Sequence, residues 1–282
     1  VSQSSNRWVV KVVLVLAVVA FVGVFIFGIL NLTQSPNQSR ASNGGSLSAS
    51  DQQSKLEDEV RGYDLVLQRE PDNQVALKGV LEARLQLLSQ KRRDQVQKAD
   101  IQALIEPLTK LAKLNPDNSA YTVLLAQAKE QIGDKEGAAE AYQLILATKP
   151  GDLKALQGMV TLLLSQQRPE AAIGLLQDTL AKAGQSNKIQ PESVDTIAVQ
   201  ILLGSVYAFQ KKYTEATTVY DQAIIKEPKD FRPVLAKALL LKKQGNDTQA
   251  KPLFDQALAL APDRYKDEIN QAIAIPSPPP NP

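Results

Sequence analysis

Apolar positions along this chain are arranged in two ways. Residues 12–30 form one unbroken apolar run, whereas beyond residue 55 small, aromatic and aliphatic residues return in fixed phase with a set of prolines. Pro116 and Pro150 are 34 residues apart, and so are Pro228 and Pro262. Twelve residues before the proline stands Ala138, Ala216 or Ala250, eight before it Tyr142, Tyr220 or Phe254, and five before it Ile145, Ala223 or Ala257. Another small residue lies twelve further upstream, as Ala126, Gly204 or Ala238. Two helices approach closely where both present small side chains, so this phase predicts short antiparallel helix pairs with an aromatic ring beside each crossing. A fixed period of this length denotes stacked copies of one unit rather than a single closed core.

Turn chemistry supports the same division. Gly133–Asp134–Lys135 and Gly245–Asn246–Asp247 place a glycine able to end one helix in the left-handed conformation before an Asp or Asn able to start the next. Proline then stops the second helix, followed by polar turn residues at Pro71–Asp72–Asn73, Pro116–Asp117–Asn118 and Pro150–Gly151–Asp152.

These residues resemble the tetratricopeptide repeat. Its strongest copy here is Leu203, Gly204, Tyr207, Ala216, Tyr220, Ala223 and Pro228, followed by Ala238, Leu241, Gly245, Ala250, Phe254, Ala257 and Pro262. The copy ending at Pro150 keeps Leu125, Ala126, Gly133, Ala138 and Tyr142, with Lys129 where the family favours an aromatic. Two copies are degenerate. Residues 72–117 hold Leu104, Leu108, Leu111 and Pro116 with an insertion around Lys91 to Asp100, and residues 152–195 hold Ala171 in frame but lack a closing proline. The resemblance implies an all-α fold, a right-handed superhelix of antiparallel helix pairs, with about five repeats over residues 72–263. Helices over 55–71 and 264–275 are expected to cap its two ends.

The run at residues 12–30 is nineteen residues without a charge. As a helix it spans about 28 Å, close to the ~30 Å hydrocarbon core of a bilayer, and predicts a transmembrane segment. Its N-terminal flank, residues 1–11, carries Arg7, Lys11 and Trp8 at the interface. A cleaved secretory signal has a shorter apolar region ending in small residues, whereas here Phe25 to Leu30 runs directly into Asn31. Residues 31–54, rich in Ser, Asn, Gln and Gly, read as a flexible linker. With Arg7 and Lys11 before the anchor and only Arg40 closely after it, the charge rule favours the repeats on the non-cytoplasmic side of the membrane.

Composition narrows the chemistry. Residues 55–282 carry 29 Lys plus Arg and 29 Asp plus Glu, so they lack the basic excess expected for nucleic acid. The one basic cluster, Lys91, Arg92, Arg93 and Lys98, reads as a solvated loop. The chain has no His and no Cys, which removes imidazole bases, thiol nucleophiles and the commonest zinc ligands. No phosphate-binding glycine loop is present, and Glu57, Asp58 and Glu59 sit at adjacent helical positions that cannot converge on one substrate. No enzyme activity, cofactor or metal site is therefore expected.

In this repeat family the first helix of each pair lines the ligand groove. The matching positions here are Ala76, Val80, Val123, Gln127, Leu156, Val160, Ile201, Ser205, Leu235 and Leu239. They lack the Lys, Asn and Arg set with which some members hold carboxylate termini, and they predict an apolar groove for an amphipathic helix or extended apolar peptide. The Pro-rich tail, residues 276–282, is expected to be extended polyproline II. Anchor, polar linker and about five repeats together resemble the tetratricopeptide assembly factors of cyanobacterial and chloroplast thylakoids, including the processing-associated type. That resemblance implies a membrane-anchored scaffold for assembly, maturation or targeting of a membrane complex. A periplasmic chaperone for unfolded clients shares the layout.

Overall fold

The computed structural model describes residues 49–276, which form twelve α-helices, one short 3₁₀ turn and no strand. The flank 1–11, the apolar run 12–30, the linker as far as residue 48 and the tail from residue 277 lie outside the described residues. Among the described residues no helix is long and apolar enough to cross a membrane. Contacts divide the chain into two compact units, one ending at Leu114 and the other starting at Asn115.

The first unit contains α1 (Ala49–Arg69), α2 (Gln74–Gln90), the 3₁₀ turn Arg93–Gln95 and α3 (Lys98–Leu114). Helix α1 begins at Ala49, so residues 49–54, expected as linker, are helical. Asp51 in the first turn offsets the positive end of the helix, and Gln53 donates to Glu57 at 2.9 Å one turn on. Helix α2 packs on α1 and α3. A methyl group on Gly79 of α2 would stand 2.3 Å from the Tyr63 ring of α1, so the absence of a side chain there seats the ring. Arg84 of α2 bridges its neighbours, with Nη2 3.0 Å from Asp64 of α1 and Nη1 2.6 Å from the Ala103 carbonyl of α3. In the inserted loop Lys91 pairs with Asp100 at 2.7 Å.

The second unit contains α4 (Ser119–Ile132), α5 (Lys135–Thr148), α6 (Leu153–Ser165), α7 (Pro169–Ile189), α8 (Thr196–Phe209), α9 (Tyr213–Lys226), α10 (Phe231–Lys243), α11 (Asp247–Leu260) and α12 (Asp263–Ala274). Side-chain oxygens of Asn118, Asp134, Asp152, Asp195 and Asp230 accept backbone N–H bonds at the starts of α4, α5, α6, α8 and α10. All the small residues expected at crossings, Ala126, Ala138, Gly204, Ala216, Ala238 and Ala250, are buried, together with Tyr142, Tyr220, Phe254, Ala223 and Ala257. Tyr207 is half-buried, Pro150 likewise, and Pro228 and Pro262 lie exposed beyond helix ends.

Left-handed backbone fixes the frame. Gly133, Gln167, Lys211 and Gly245 have φ of 89°, 59°, 61° and 78°, each between the first and second helix of a pair. The step from Gln167 to Lys211 is ten residues longer than the 34-residue period because α7 overruns. Gly184 stands where Pro150 closes the earlier pair, so nothing stops α7 until Ile189. Asn187 then secures the following loop, donating to the Val194 carbonyl at 3.0 Å and accepting from Val194 N–H at 2.8 Å. In this frame the crossing residue of α7 is the fully buried Ala172, one position from the Ala171 expected, and Leu176 replaces the aromatic. A side chain at positive φ costs about 1–2 kcal/mol, partly offset by glycine's greater backbone entropy. Gln167→Gly and Lys211→Gly are each expected to stabilise by about 0.5–1 kcal/mol in urea unfolding. A loss of stability in both would contradict the frame.

Each helix of this unit packs on the next in the chain, and first helices also touch their counterparts, α4 with α6, α6 with α8 and α8 with α10. The second helices make no comparable approach to one another. First helices therefore form an inner layer and second helices splay outward. Helix α12 closes the C-terminal end: Tyr265 stacks on Phe231 with centroids 5.2 Å apart, Ile269 is buried, and Lys242 of α10 donates to the Ala272 and Ile273 carbonyls. Its outer face carries the exposed Glu268 and Gln271.

Candidate functional site

The inner layer of the second unit is the surface where the repeat geometry brings successive helices together. Not all ten expected groove residues reach it. Ala76, Val80, Val123, Leu156 and Val160 are buried, Gln127, Ile201 and Leu235 are half-buried, and Ser205 and Leu239 are exposed. The left-handed frame explains two of the buried ones. Positions of Val123 and Gln127 recur 34 residues on as Gln157 and Thr161, so Leu156 and Val160 are each one residue inside the groove and pack in the core. In the first unit, Tyr63 seats on Gly79 as Tyr142 seats on Gly158. That alignment moves the surface positions from Ala76 and Val80 to Lys78 and Glu82, which are exposed and half-buried.

The corrected surface is not apolar throughout. Along α4 and α6 it presents Gln127, Gln157 and Thr161. Along α8 and α10 it presents Ile201, Ser205, Leu235 and Leu239, with Leu239 41% exposed. Phe209, 43% exposed, joins the second group and was missed in the sequence reading. The signal was present, because 201, 205 and 209 form one stripe at helical spacing on α8. Ile201 and Leu235 also pack against buried clusters behind the surface, which fixes the apolar floor in place.

Ionisable groups hold this layer in register. Arg232 of α10 lies 2.6 Å from Asp195 at the start of α8 and 2.7 Å from Asp230. Burial acts to raise the Asp195 carboxyl, but the Arg232 guanidinium and the Ala198 N–H outweigh it and hold the carboxyl low. Glu130 of α4 accepts from the Tyr142 hydroxyl at 3.2 Å, and burial pushes its carboxyl above the usual glutamate value despite that bond and the nearby Lys135. A carboxyl whose folded value is raised contributes stability below its unfolded pKa, and that contribution disappears as pH rises through the folded value. Glu130→Gln is therefore expected to raise the melting temperature at pH 7, with the gain shrinking as the pH falls towards 4. A gain independent of pH would contradict it.

Models of the tetratricopeptide repeat match residues 102–152 and 233–264. Cellulose synthase operon protein C of Pseudomonas fluorescens is 26% identical over 152 residues, covering 54% of this chain and 12% of that protein. SLOW GREEN 1, a chloroplastic protein of Arabidopsis thaliana, is 28% identical over 98 residues, covering 35% of this chain and 30% of its own length. The chain thus spans less than a third of either relative. Among solved structures, MamA is 21% identical with a TM-score of 0.39, covering 61% of this chain and 93% of its own. A thermophilic tetratricopeptide protein of Thermus thermophilus is 19% identical with a TM-score of 0.41, covering 69% and 97%. Residues 102–152 and 233–264 thus carry tetratricopeptide repeats, a kind of unit that forms extended binding surfaces in scaffolds for protein–protein interaction.

Proposed function

We propose that the chain is a single-pass membrane scaffold whose inner helix layer holds a segment of a partner protein during assembly, maturation or targeting of a membrane complex. The observation that carries this reading is the apolar stretch on α8 and α10, where Phe209 and Leu239 remain exposed beside Ile201 and Leu235. Exposed apolar side chains on neighbouring helices of one layer favour a partner burying its own apolar face, such as an amphipathic helix or extended apolar peptide. Membrane attachment rests on the charge-free residues 12–30 and their flanking Arg7, Lys11 and Trp8. The similarity to a protein described as chloroplastic favours a thylakoid setting, with the repeats on the non-cytoplasmic side of the anchor.

Carbonate extraction tests the anchor. Full-length chain is expected to stay in the membrane pellet, and a chain lacking residues 1–30 to be recovered soluble and helical. Release of the full-length chain by carbonate would contradict anchoring. Detergent extraction tests the scaffold: one or two defined partners should remain bound, whereas a broad set of unfolded clients favours a chaperone.

A further inference from the structure

We propose that the outward gap between α5 and α7 is a slot for a tyrosyl side chain of a partner segment carrying an acidic neighbour. It lies between two second helices with the first helix α6 as its floor, and it shares no residue with the inner-layer site. The gap holds a cavity of about 580 Å³, within the size range of small-ligand sites.

The molecule contains its own template for the occupant. One pair further along, Tyr207 of α8 reaches Gln177 of α7, with Gln177 Nε2 donating to the phenol oxygen at 3.3 Å, and packs against the cluster holding Ala216 and Tyr220 of α9. In the same pair Glu170 of α7 accepts from Gln210 at 2.8 Å and Lys212 at 3.1 Å. Counted from the left-handed residues Gly133, Gln167 and Lys211, the counterparts of Gln177, Glu170, Gln210 and Lys212 are Gln143, Glu136, Gln166 and Arg168. All four line the cavity, and none of their side chains makes a hydrogen bond or ion pair among the described residues. The counterpart of Tyr207 is Leu163, which also lines the cavity. The polar frame of a phenol site is thus repeated without the phenol. Lys135 and Arg168 against the single carboxylate of Glu136 give the lining a positive balance, which complements an acidic residue beside the incoming ring.

Met159 is the only methionine of the chain and lines the same cavity. Full-length chain labelled with carbon-13 in the methionine methyl therefore reports the site through one resonance. Titration with 4-hydroxyphenylacetate is expected to shift that resonance saturably. Phenylacetate, which lacks the hydroxyl, and tyramine, which carries an ammonium, should bind several-fold more weakly. Leu163→Tyr should fill the slot from within, raise the melting temperature and abolish the shift. Arg168→Glu, on the exposed rim, should invert the order of 4-hydroxyphenylacetate and tyramine while leaving helicity unchanged. The inference is overturned by absence of a saturable shift, by phenylacetate matching 4-hydroxyphenylacetate, by a shift that survives in folded Leu163→Tyr, or by an unaltered ligand order in Arg168→Glu.

Discussion

Tyr142→Ala is expected to destabilise the second unit by about 3–5 kcal/mol, the range for deleting a large aromatic from a packed core. Tyr142 is fully buried between the crossing of α4 with α5 and the next first helix, α6. A methyl group on Gly158 of α6 would stand 2.2 Å from its ring, so the ring occupies the space a side chain there would need. Deleting it leaves a cavity and also removes the donor to Glu130. Gly158→Val alone should overpack the same contact and cost about 1–3 kcal/mol. The double variant should lose less than the two single losses together, because valine fills part of the space that the ring vacates. Urea unfolding checks each value. A loss below about 1 kcal/mol for Tyr142→Ala would remove the ring from the core.

That contact also marks what could be read from residues alone. The partners of closest approach were visible because only Ala and Gly permit it, and Ala126, Ala138, Gly204, Ala216, Ala238 and Ala250 are buried as the phase required. Glycine seats for rings were visible only in part: Gly204 fell on the lattice, but Gly79 and Gly158 lie two residues off it, under tyrosines of the preceding helix. Turns at Gly133 and Gly245 were legible from glycine's freedom at positive φ. Those at Gln167 and Lys211 were not, because their side chains give no sign of left-handed backbone that the surrounding pair imposes. Without Gln167 as a marker, residues 152–195 slipped by one position, and in a helix one position turns a surface residue into a core residue. Leu156 and Val160 entered the groove by that slip, and Gln157 and Thr161 left it. The start of α1 at Ala49 was hidden by composition, since Ser and Gln serve as well in a first helical turn as in a linker.

Phe209→Glu with Leu239→Glu is expected to weaken partner binding by about a hundredfold or more, because two charges would face an apolar partner surface. Both side chains are more than two-fifths exposed in the free chain, so helicity and melting temperature should change little. Ile201→Glu is a poorer probe, since Ile201 also packs against the cluster of Ala216, Tyr220 and Leu240 and would unfold part of the pair. Replacing Gln127 and Gln157 by alanine should cost much less, because polar positions at that end lose bonds that water replaces. Calorimetry with the isolated partner at low and high salt should show only a slight salt dependence.

Site-specific photocrosslinking in native membranes tests the inner-layer site most directly. A benzophenone side chain is placed in turn at Phe209, Leu239, Leu144 and Ile225, all of them exposed apolar positions, the first two on first helices and the others on second helices. Positions 209 and 239 are expected to capture neighbouring residues of one partner segment, while 144 and 225 do not capture that segment. Capture of the same segment from 144 and 225, with none from 209 and 239, would contradict it.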